Sequence, residues 1–288
     1  MSEKQTSRSG QAPPDERRAR PRESDTRWRT ALTRIEPNKI LVRGYPLDEL
    51  MGRVSFGEAI YLLLVGELPT PAMGQIVEAL LVSFIDHGAT PPSTLAARNT
   101  ATTGAPLRAC VAAGVLGFGR YFGGDIAACM ELLDAGLALV RQGRPMAEVA
   151  DEVLAPFRER GETPPGFGHR YHSRDPRAAR LFQMALELEL EGEHVRFIRA
   201  LELALERARR PEERPVPVNI DGAIAAVCSD IGLRPDVAEG LFIISRVPGI
   251  VAHALEEQAR CRPMRQIDPT DFEYDGPAER RLPETRRR

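Results

Sequence analysis

The run PPGFGHRYHSRDPRA, from Pro164 to Ala178, carries residue types that suit the binding of a small anion. Its fifteen residues include two glycines, two histidines, three arginines and one aspartate. Glycines let the backbone approach a ligand closely, and arginine side chains donate strong hydrogen bonds to a carboxylate or a phosphate. The run therefore predicts a site for a polyanionic small molecule, although a surface loop with solvated arginines would have a similar composition.

Within this run, His169 and Arg177 are the side chains that we expect to meet a ligand. His169 lies in the glycine-bearing turn and not on an apolar helix face, which favours a functional histidine over a structural one. Arg177 follows Asp175 and a proline at the start of a predicted helix, where its planar fork could bind a carboxylate with two hydrogen bonds. His172 is interpreted as a supporting or surface residue.

Asp221 is a candidate acid or base further along the chain, where NIDGAIAAV enters an apolar helix. An aspartate in this place either caps the helix or, when it is desolvated, acquires a pKa high enough for acid-base catalysis. The helix dipole opposes that rise in pKa. The sequence leaves both roles open.

Arg246 lies within the apolar stretch FIISRVPGIVAH, where a buried guanidinium requires an anionic partner. That partner is either a protein carboxylate or a ligand. His253 shares the helix face of Arg246 if the helix continues through Pro248 and Gly249.

Other candidates also have an ordinary structural interpretation. His87, in FIDHGATPPST, is predicted at the C-terminal end of a helix that stops at Gly88, where the helix dipole favours a histidine. Arg262 lies beyond the last long helix and would be a surface residue. The pair Gly123 and Gly124 in GRYFGGDIAA serves either a close approach to a ligand or a helix crossing.

The elements that must position these residues are mainly helices, and β signals are confined to a possible hairpin within Thr33–Gly44. Ser55 and Glu58 predict a capping box, and Thr70 with the following proline begins a second helix that continues to Ile85. Further helices are predicted at Leu107–Phe118, Asp125–Arg141, Met146–Arg160, Arg177–Glu191, Glu193–Arg209, Asn219–Ile231 and Pro235–Gln258. The chain is therefore predicted to be all-α.

The composition of the 288 residues disfavours several classes of protein. A net charge of -2 provides no general attraction to nucleic acid or anionic membranes. The N-terminal 26 residues are polar, and no run approaches about 18 uninterrupted apolar residues. The four cysteines, at positions 110, 129, 228 and 261, have no metal-ligand spacing and predict reduced, buried thiols. We expect a soluble cytoplasmic protein whose termini, residues 1–26 and 277–288, are disordered tails.

Six segments in a fixed order resemble the citrate synthase superfamily. They are RGYPLDELMGRVSFGEAIYLLLVGELPT, DHGATPPST, YFGGD, GFGHRYHSRDPRA, NIDGAIAAV, and SRVPGIVAHALEEQ followed by RP. The resemblance covers about Trp28 to Gly276 and is closer to the citryl-CoA lyase branch, which includes the citryl-CoA lyase module of ATP citrate lyase. It implies an all-α homodimer with a large helical domain, residues 27–122 and 236–276, and a small helical domain, residues 123–235.

Position by position, the resemblance also implies roles for the candidate residues. Four of them would hold the carboxylates and the hydroxyl or keto oxygen of citrate or oxaloacetate, namely His87, His169, Arg177 and Arg246. Asp221 matches the family's acid-base aspartate and would act together with His169 in catalysis. Arg262 matches an arginine that is donated to the neighbouring subunit's site. Gly166, Phe167 and Gly168 would lie near coenzyme A.

Phe122 departs from the synthase pattern. Citrate synthases have a histidine before the Gly-Gly pair, where it stabilises the enolate oxygen of acetyl-CoA, whereas this chain has Phe122 before Gly123 and Gly124. The Phe-Gly-Gly pattern resembles citryl-CoA lyases. It implies cleavage of citryl-CoA to acetyl-CoA and oxaloacetate by a retro-Claisen reaction that needs no metal and no other cofactor.

Two alternatives stay open at this point. The first is a condensing enzyme that joins an acyl-CoA to a 2-oxoacid, since such an enzyme shares every candidate residue except the missing histidine. The second is a non-catalytic helical paralogue that acts by interaction.

Overall fold

The structure, a computed structural model, describes residues 28–119, 122–123, 125–266, 269–271 and 273–281. Three short strands come first: β1 (Thr33–Glu36), β2 (Lys39–Val42) and β3 (Tyr45–Pro46). The helices that follow are α1 (Leu47–Leu50), α2 (Phe56–Val65), α3 (Pro71–Ser83), α4 (Pro92–Ala101), α5 (Leu107–Leu116), α6 (Asp125–Val140), α7 (Met146–Arg160), α8 (Pro176–Glu187), α9 (Glu193–Ala208), α10 (Ile220–Asp230) and α11 (Pro235–Arg260). The described chain is mostly helical, which confirms the predicted fold class.

The three strands form an antiparallel sheet in the order β1-β2-β3. Thr33 lies opposite Val42, and Leu41 lies opposite Pro46. The possible hairpin within Thr33–Gly44 is thus confirmed, and β3 adds a third strand to it. Most side chains of β1 and β2 are exposed, so the sheet adds little to the core.

The predicted capping box begins α2. The Ser55 hydroxyl accepts a hydrogen bond from the Glu58 N–H at 3.2 Å, and the Glu58 carboxylate accepts one from the Ser55 N–H at 2.7 Å. Thr70 caps α3, which ends at Ser83 and not at the predicted Ile85. The chain from residue 84 to residue 88 is therefore a loop, and His87 does not lie at a helix end as expected.

α4 is not among the helices expected from the sequence, because the pair Pro91-Pro92 at its start resembles a turn. Proline is well tolerated in the first turn of a helix, where its missing N–H has no helical partner in any case. α4 packs against α5 and α11. A Cβ at Gly114 of α5 would lie 3.1 Å from the Ser93 carbonyl oxygen, so glycine permits this close packing.

The other predicted helices are all present, and most of their ends differ from the prediction by one or two residues. The largest difference is at α8, which ends at Glu187 and not at Glu191. Glu189 adopts a left-handed conformation with φ of 57°, and the Leu190 N–H donates to the Ala185 carbonyl at 2.7 Å. This capping arrangement takes the chain out of the helix.

α10 lies at the centre of the core. Every residue from Gly222 to Cys228 is buried, and the helix packs against α6, α8 and α9. A helix that is apolar on all sides must be surrounded by other elements. The second residue of this helix is Asp221, so the core fixes its place.

α11 continues through Pro248, which leaves His253 on the same helix as Arg246. Among the described helices, α11 is long and apolar enough by length and composition to cross a membrane. Here it packs against α3, α4, α5, α6 and α10, as the core helix of a folded domain does. Its apolar composition is explained by this packing.

The buried side chains form one cluster that extends from α2 and α3 through α6 to α10 and into α11, and a small second cluster joins α4, α5 and α11. The domain boundaries at residues 122/123 and 235/236 stay a prediction. Residues 1–26 and 282–288 of the predicted tails lie outside the described residues, and residues 277–281 contain no helix or strand. All four cysteines are free thiols, and all but Cys261, which is only partly buried, lie in the interior as predicted.

Candidate active site

A cavity of about 520 Å³ brings together residues from distant parts of the sequence. Its wall includes eight of the predicted site residues, namely His87, Phe122, Gly123, Gly168, His169, Arg177, Asp221 and Arg246. They come from the loop after α3, the turn before α6, the loop before α8, the first turns of α8 and α10, and the middle of α11. The fold therefore assembles most of the predicted site in one place.

Backbone contacts between the glycine loop and the start of α10 hold one side of the cavity. The Asn219 N–H donates to the Gly166 carbonyl at 3.0 Å, and the Asn219 side-chain amide donates to the Phe167 and Gly168 carbonyls at 3.1 Å each. The Asn219 side-chain oxygen also caps α10 by accepting from the Gly222 N–H at 3.0 Å. One asparagine thus fixes both the loop and the helix that carries Asp221.

Gly166 is required by this arrangement. Its φ is 83°, a conformation that favours glycine, and a Cβ there would lie 2.6 Å from the Cys129 sulfur and 2.8 Å from the Gly222 Cα. Gly166 and Phe167 are buried behind the cavity and do not line it, whereas Gly168 reaches its wall. The glycines of the loop thus serve close packing first.

His169 is held as a neutral hydrogen-bond donor. Its Nδ1 accepts hydrogen bonds from the backbone N–H groups of Tyr171 at 3.0 Å and His172 at 3.1 Å, so the ring proton lies on Nε2. Burial lowers the pKa of His169, and the neighbouring His172 and Arg177 act in the same direction. His172 stacks on His169 at 4.3 Å and also lines the cavity, which fits its interpretation as a supporting residue.

Asp221 is a carboxyl group with a strongly raised pKa. Burial in the second position of α10 raises its pKa to about 6, and the nearby charge of Asp125 adds to the rise. Arg177 and Arg246 act in the opposite direction. Although Asp221 lies in the first turn of α10, the side chain that caps the helix is that of Asn219. Asp221 is therefore not the capping residue, and its acid-base role stays a prediction.

Asp125 is a cavity residue that the sequence analysis missed. It is the first residue of α6 and lines the same cavity as Asp221. Burial raises its pKa as well. The available signal was its place directly after the Gly-Gly pair at a helix start, and that signal alone could not distinguish it from an ordinary first-turn acid.

Arg246 is an almost fully buried cation, with 2% of its surface exposed. Its Nε donates to the Phe84 carbonyl at 2.8 Å, whereas its Nη1 is buried and has no hydrogen-bond partner among the described residues. The guanidinium carbon lies 5.2 Å from the centre of the Phe242 ring, and burial lowers the pKa of Arg246. A buried donor without a partner is costly, so this group is a strong candidate to bind an anion in the cavity.

Arg177 differs from the prediction in one respect. Its Nε and Nη2 donate to the two carboxylate oxygens of Asp175 at 3.1 and 2.8 Å, so its fork already holds a protein carboxylate. Burial acts to raise the pKa of Asp175, but the hydrogen bonds from Arg177 outweigh burial and the pKa is lowered. Asp175 is thus an anion that orients Arg177, and the Nη1 group is the part of the fork left for a ligand.

Aromatic rings form the wall around Phe122. The ring of Phe122 lies 5.8 Å from that of Phe118 and 6.3 Å from that of His87. Gly123 has a φ of 91°, and a Cβ there would lie 2.7 Å from the Phe242 ring. This wall is apolar, and Phe122 offers no hydrogen bond to a ligand. Gly124, the second glycine of the predicted turn, lies outside the described residues.

His87 faces the cavity from the loop after α3. Burial and the positive charges of Arg246 and Arg177 lower the pKa of His87, so its imidazole is neutral at neutral pH. Arg262 is exposed and does not line the cavity of its own chain. Its carbonyl accepts a hydrogen bond from the Thr102 hydroxyl at 3.4 Å, which holds the segment after α11 against the end of α4.

The chemistry of the cavity follows from these groups. Two arginines provide donors for carboxylates, two neutral imidazoles can contact an oxygen atom, and one carboxyl group titrates near neutral pH. Such a set can bind a dicarboxylate, stabilise charge on an oxygen and exchange a proton with carbon.

Comparison with known proteins gives an independent result. Residues 70–266 match the family model described as "Citrate synthase, C-terminal domain". Among solved structures, the chain is similar to citryl-CoA lyase from Hydrogenobacter thermophilus, with 40% identity, a TM-score of 0.80, and coverage of 90% of this chain and 98% of that one.

Other relatives are more distant. A second similar structure is an ATP citrate lyase from Methanosaeta concilii, solved as a variant in complex with (3S)-citryl-CoA. It is 18% identical with a TM-score of 0.72, and the alignment covers 97% of this chain and 46% of that one. At this identity the similarity shows the fold alone. Citrate synthase of Haloferax volcanii is 30% identical over 205 residues, which is 68% of this chain and 49% of that protein. "Putative citrate synthase 2" of Mycobacterium tuberculosis is 31% identical over 194 residues, 66% of this chain and 49% of that protein. The chain spans about half the length of these curated relatives.

Proposed function

The chain belongs to the citrate synthase family, and from this premise we propose that it is a citryl-CoA lyase. The reaction is the cleavage of (3S)-citryl-CoA to acetyl-CoA and oxaloacetate. The observation that carries this proposal is the match along almost the whole length of the Hydrogenobacter thermophilus lyase, at 40% identity.

Phe122 supports the lyase branch of the family over the synthase branch. The acetyl-CoA enolate forms in both directions of the reaction, so either kind of enzyme has to stabilise its oxygen. Phe122 has no side-chain donor for this oxygen, and the Phe-Gly-Gly pattern resembles citryl-CoA lyases and not citrate synthases. The neighbouring rings of Phe118 and Phe242 pack at a distance of 5.1 Å between ring centres.

Arg246 and Arg177 bind the carboxylates of the citryl group. The buried Nη1 of Arg246 has no partner among the described residues and gains one when a carboxylate binds. Because a buried donor without a partner is costly, this single hydrogen bond contributes strongly to the free energy of substrate binding. Arg177, held rigid by Asp175, donates through its remaining Nη1. Fixing both carboxylates aligns the carbon–carbon bond for cleavage.

The two histidines act on the C3 oxygen. Because Nδ1 of His169 is occupied by two N–H donors, its Nε2–H donates a hydrogen bond to this oxygen and does not accept the hydroxyl proton. His169 could either take the proton of the C3 hydroxyl or donate a hydrogen bond to its oxygen, and the geometry supports the second role. The neutral imidazole of His87 is the group that accepts the proton from the C3 hydroxyl.

Asp221 delivers a proton to carbon. As the C3–O bond becomes a carbonyl, the bond between C3 and the acetyl carbon breaks, and its electron pair remains on the departing acetyl-CoA enolate. Protonated Asp221 donates its proton to the enolate carbon and thereby becomes a carboxylate. A pKa of about 6 keeps a usable fraction of Asp221 protonated near neutral pH.

The finer assignments belong to the same proposal. The protein acts as a cytoplasmic homodimer in which Arg262 reaches the neighbouring subunit's cavity, and its exposed position outside the cavity of its own chain is consistent with this role. Gly168 borders the path of coenzyme A, with Gly166 and Phe167 packed behind it, and no metal or other cofactor takes part.

The condensing enzyme is the alternative that a specific observation favours, because the curated relatives at about 30% identity carry the name citrate synthase. It predicts release of free thiol from acetyl-CoA and oxaloacetate. The lyase predicts little thiol release under the same conditions, since no thioester is hydrolysed.

A coupled assay tests the lyase directly. Purified protein is incubated with (3S)-citryl-CoA, malate dehydrogenase and NADH, and oxaloacetate is followed by NADH consumption. We expect sustained turnover by the wild type and a loss of about 100-fold or more in Asp221→Asn, which keeps the shape of the side chain but cannot transfer the proton. Equal NADH consumption by both proteins, or none by the wild type, would refute the proposal.

A further inference from the structure

The loop that presents His87 is joined to α11 by a series of hydrogen bonds. Along α11, the Ser245 hydroxyl donates to the Leu81 carbonyl, and the Arg246 Nε donates to the Phe84 carbonyl at 2.8 Å. One turn later the Gly249 N–H donates to the Ile85 carbonyl at 3.1 Å. The chain from Leu81, near the end of α3, to Ile85 thus lies along α11 from Ser245 to Gly249.

Gly249 makes this close contact possible. A Cβ at this position would lie 2.5 Å from the Ile85 carbonyl oxygen and 3.1 Å from the Asp86 Cα. Pro248, directly before it, has no N–H, which removes one hydrogen bond from the helix at the same level. α11 is therefore locally adapted to carry the loop.

His253 supplies the last connection of the series. Its Nε2 lies 3.0 Å from Oδ1 of Asp86, and the other carboxylate oxygen of Asp86 accepts the Gly88 N–H at 3.1 Å. This pair of contacts closes the turn on both sides of His87. His253 itself does not line the active cavity.

We propose that His253 is a positioning residue, which fixes His87 toward the C3 oxygen of the substrate by holding Asp86. The inference rests on the proposed function, because His87 is the group whose orientation gives the contact its effect. A histidine that only stabilised the loop would affect unfolding and leave the role of His87 unchanged.

The second ring nitrogen of His253, Nδ1, shows which hydrogen bond a replacement side chain has to reproduce. Its Nδ1 is buried and has no hydrogen-bond partner among the described residues, and the carboxylate of Glu256 lies 4.0 Å away. Only the bond to Asp86 therefore contributes to the positioning of the loop. A glutamine, which can donate through its amide, should replace the histidine, whereas a phenylalanine keeps the ring and removes the donor.

A double-mutant cycle on the full-length protein tests the proposal. The proteins are the wild type, His253→Phe, His253→Gln, His87→Ala, and the combination of His87→Ala with His253→Phe. Each is measured for kcat and KM of citryl-CoA cleavage and for Tm. We expect His253→Phe to lower kcat/KM about tenfold in the wild-type background and His253→Gln to lower it by less than about threefold.

In the His87→Ala background, His253→Phe should cause almost no further loss of kcat/KM, whereas its effect on Tm should be the same in both backgrounds. An equal loss of kcat/KM in both backgrounds, or a fall in Tm with unchanged kcat/KM, would overturn the proposal. If His253→Phe does not fold, Asp86→Asn enters the same cycle.

The cycle also separates this inference from the proposed function. If the wild type does not cleave citryl-CoA, the lyase assignment fails, and the same variants are then compared by calorimetric binding of oxaloacetate. Wild-type cleavage with additive effects of His253 and His87 would refute the positioning role alone.

Discussion

At the scale of single residues, the proposed reaction depends on the protonation state of Asp221. Burial raises its pKa to about 6, Asp125 adds to the rise, and Arg177 and Arg246 oppose it. At pH 7 about one tenth of the free enzyme therefore holds the proton at Asp221. In the proposed mechanism, cleavage uses this protonated form, whereas condensation uses the carboxylate.

The pH dependence of cleavage should follow from this pKa. We expect log kcat/KM for citryl-CoA to fall with a slope of about -1 as the pH rises above about 6, because the protonated fraction of Asp221 decreases. Initial rates in buffers of constant ionic strength check this expectation. A rate that increased over the same range would mean that Asp221 acts as the base.

Asp125→Asn provides a sharper version of the same experiment. Removing this negative charge should lower the pKa of Asp221 and move the alkaline fall in kcat/KM to lower pH. Glu131→Gln, an exposed acid on the same helix, serves as the matched control and should leave the profile in place. Identical shifts in both variants would point to a general charge effect.

Arg246 should separate stability from function. In Arg246→Met the unpartnered Nη1 disappears together with one bond to Phe84, so we expect the free energy of unfolding to change by less than about 1 kcal/mol. The value of kcat/KM should fall about 100-fold or more because a substrate carboxylate loses its partner. Urea unfolding and steady-state kinetics measure the two effects.

Arg98→Met is the comparison for that result. Arg98 donates to the buried Glu257 at 2.8 Å, so its removal takes one partner from a buried carboxylate and should cost more stability than Arg246→Met. A larger stability loss in Arg246→Met would show that the buried guanidinium is satisfied without ligand.

Individual residues differ in how well the sequence predicts them. Arg246 and Asp221 were identifiable because a charge within an apolar run needs a reason to be there. The pairing of Arg177 with Asp175 was not identifiable, since two residues two positions apart meet only when the start of α8 turns them toward each other. Asp125 was not identifiable as a site residue, because it meets Asp221 only in the folded cavity and the two are far apart in the sequence.

At the scale of elements, the contact between the glycine loop and α10 positions the reactive groups. Gly222 of α10 lies against the backbone of Gly166, and Asn219 ties three successive residues of the loop to the helix start. His169 and Asp221 are consequently carried by two segments that are joined by hydrogen bonds and close backbone packing.

Gly222→Ala should disturb this unit. A Cβ at Gly222 would overlap the carbonyl oxygen of Gly166, so the loop and the helix would have to separate. We expect a loss of about 2 kcal/mol in the free energy of unfolding and a fall of at least about tenfold in kcat. Denaturant unfolding and kinetics on the same preparation provide the measurement.

Gly240→Ala in α11 is the matched control, because a Cβ there meets no atom within 4 Å. Alanine is the better helix former, so this variant should be neutral or more stable by up to about 1 kcal/mol. Equal destabilisation of both variants would contradict the importance of the Gly166 contact.

Most helices were predictable from apolar periodicity and capping residues, and the capping box at Ser55 is an example. α4 was not, because two prolines at its start resemble a turn until the rest of the helix packs on α5 and α11. The early end of α3 was equally hidden. It depends on α11, whose donors bind the carbonyls of Phe84 and Ile85 more than 160 residues away in sequence.

At the scale of the whole molecule, the cavity brings together residues that are far apart in the sequence, from Phe84 to Arg246. His87 follows α3, Arg246 belongs to α11, and α6, α8 and α10 supply the groups between them. A single chain thus provides eight of the predicted site residues in the described wall, and Arg262 is not among them. The proposed dimer would supply that arginine.

Mixing two inactive variants tests the shared site. Arg262→Ala and Asp221→Asn are each expected to be nearly inactive. After subunit exchange, half of the dimers are mixed and each has one intact site, so about a quarter of the wild-type activity should return. Sedimentation should give twice the chain mass of 31.8 kDa. No recovery after verified exchange would place Arg262 outside the partner's site.

The products formed from (3S)-citryl-CoA distinguish the proposed lyase from a synthase-type enzyme. A lyase breaks the carbon–carbon bond and yields acetyl-CoA and oxaloacetate, whereas a synthase-type enzyme hydrolyses the thioester and yields citrate and free coenzyme A. Mass spectrometry of the reaction mixture distinguishes these pairs in one experiment. We predict acetyl-CoA and oxaloacetate in equal amounts from the wild type, and citrate with free coenzyme A as the main products would contradict the account.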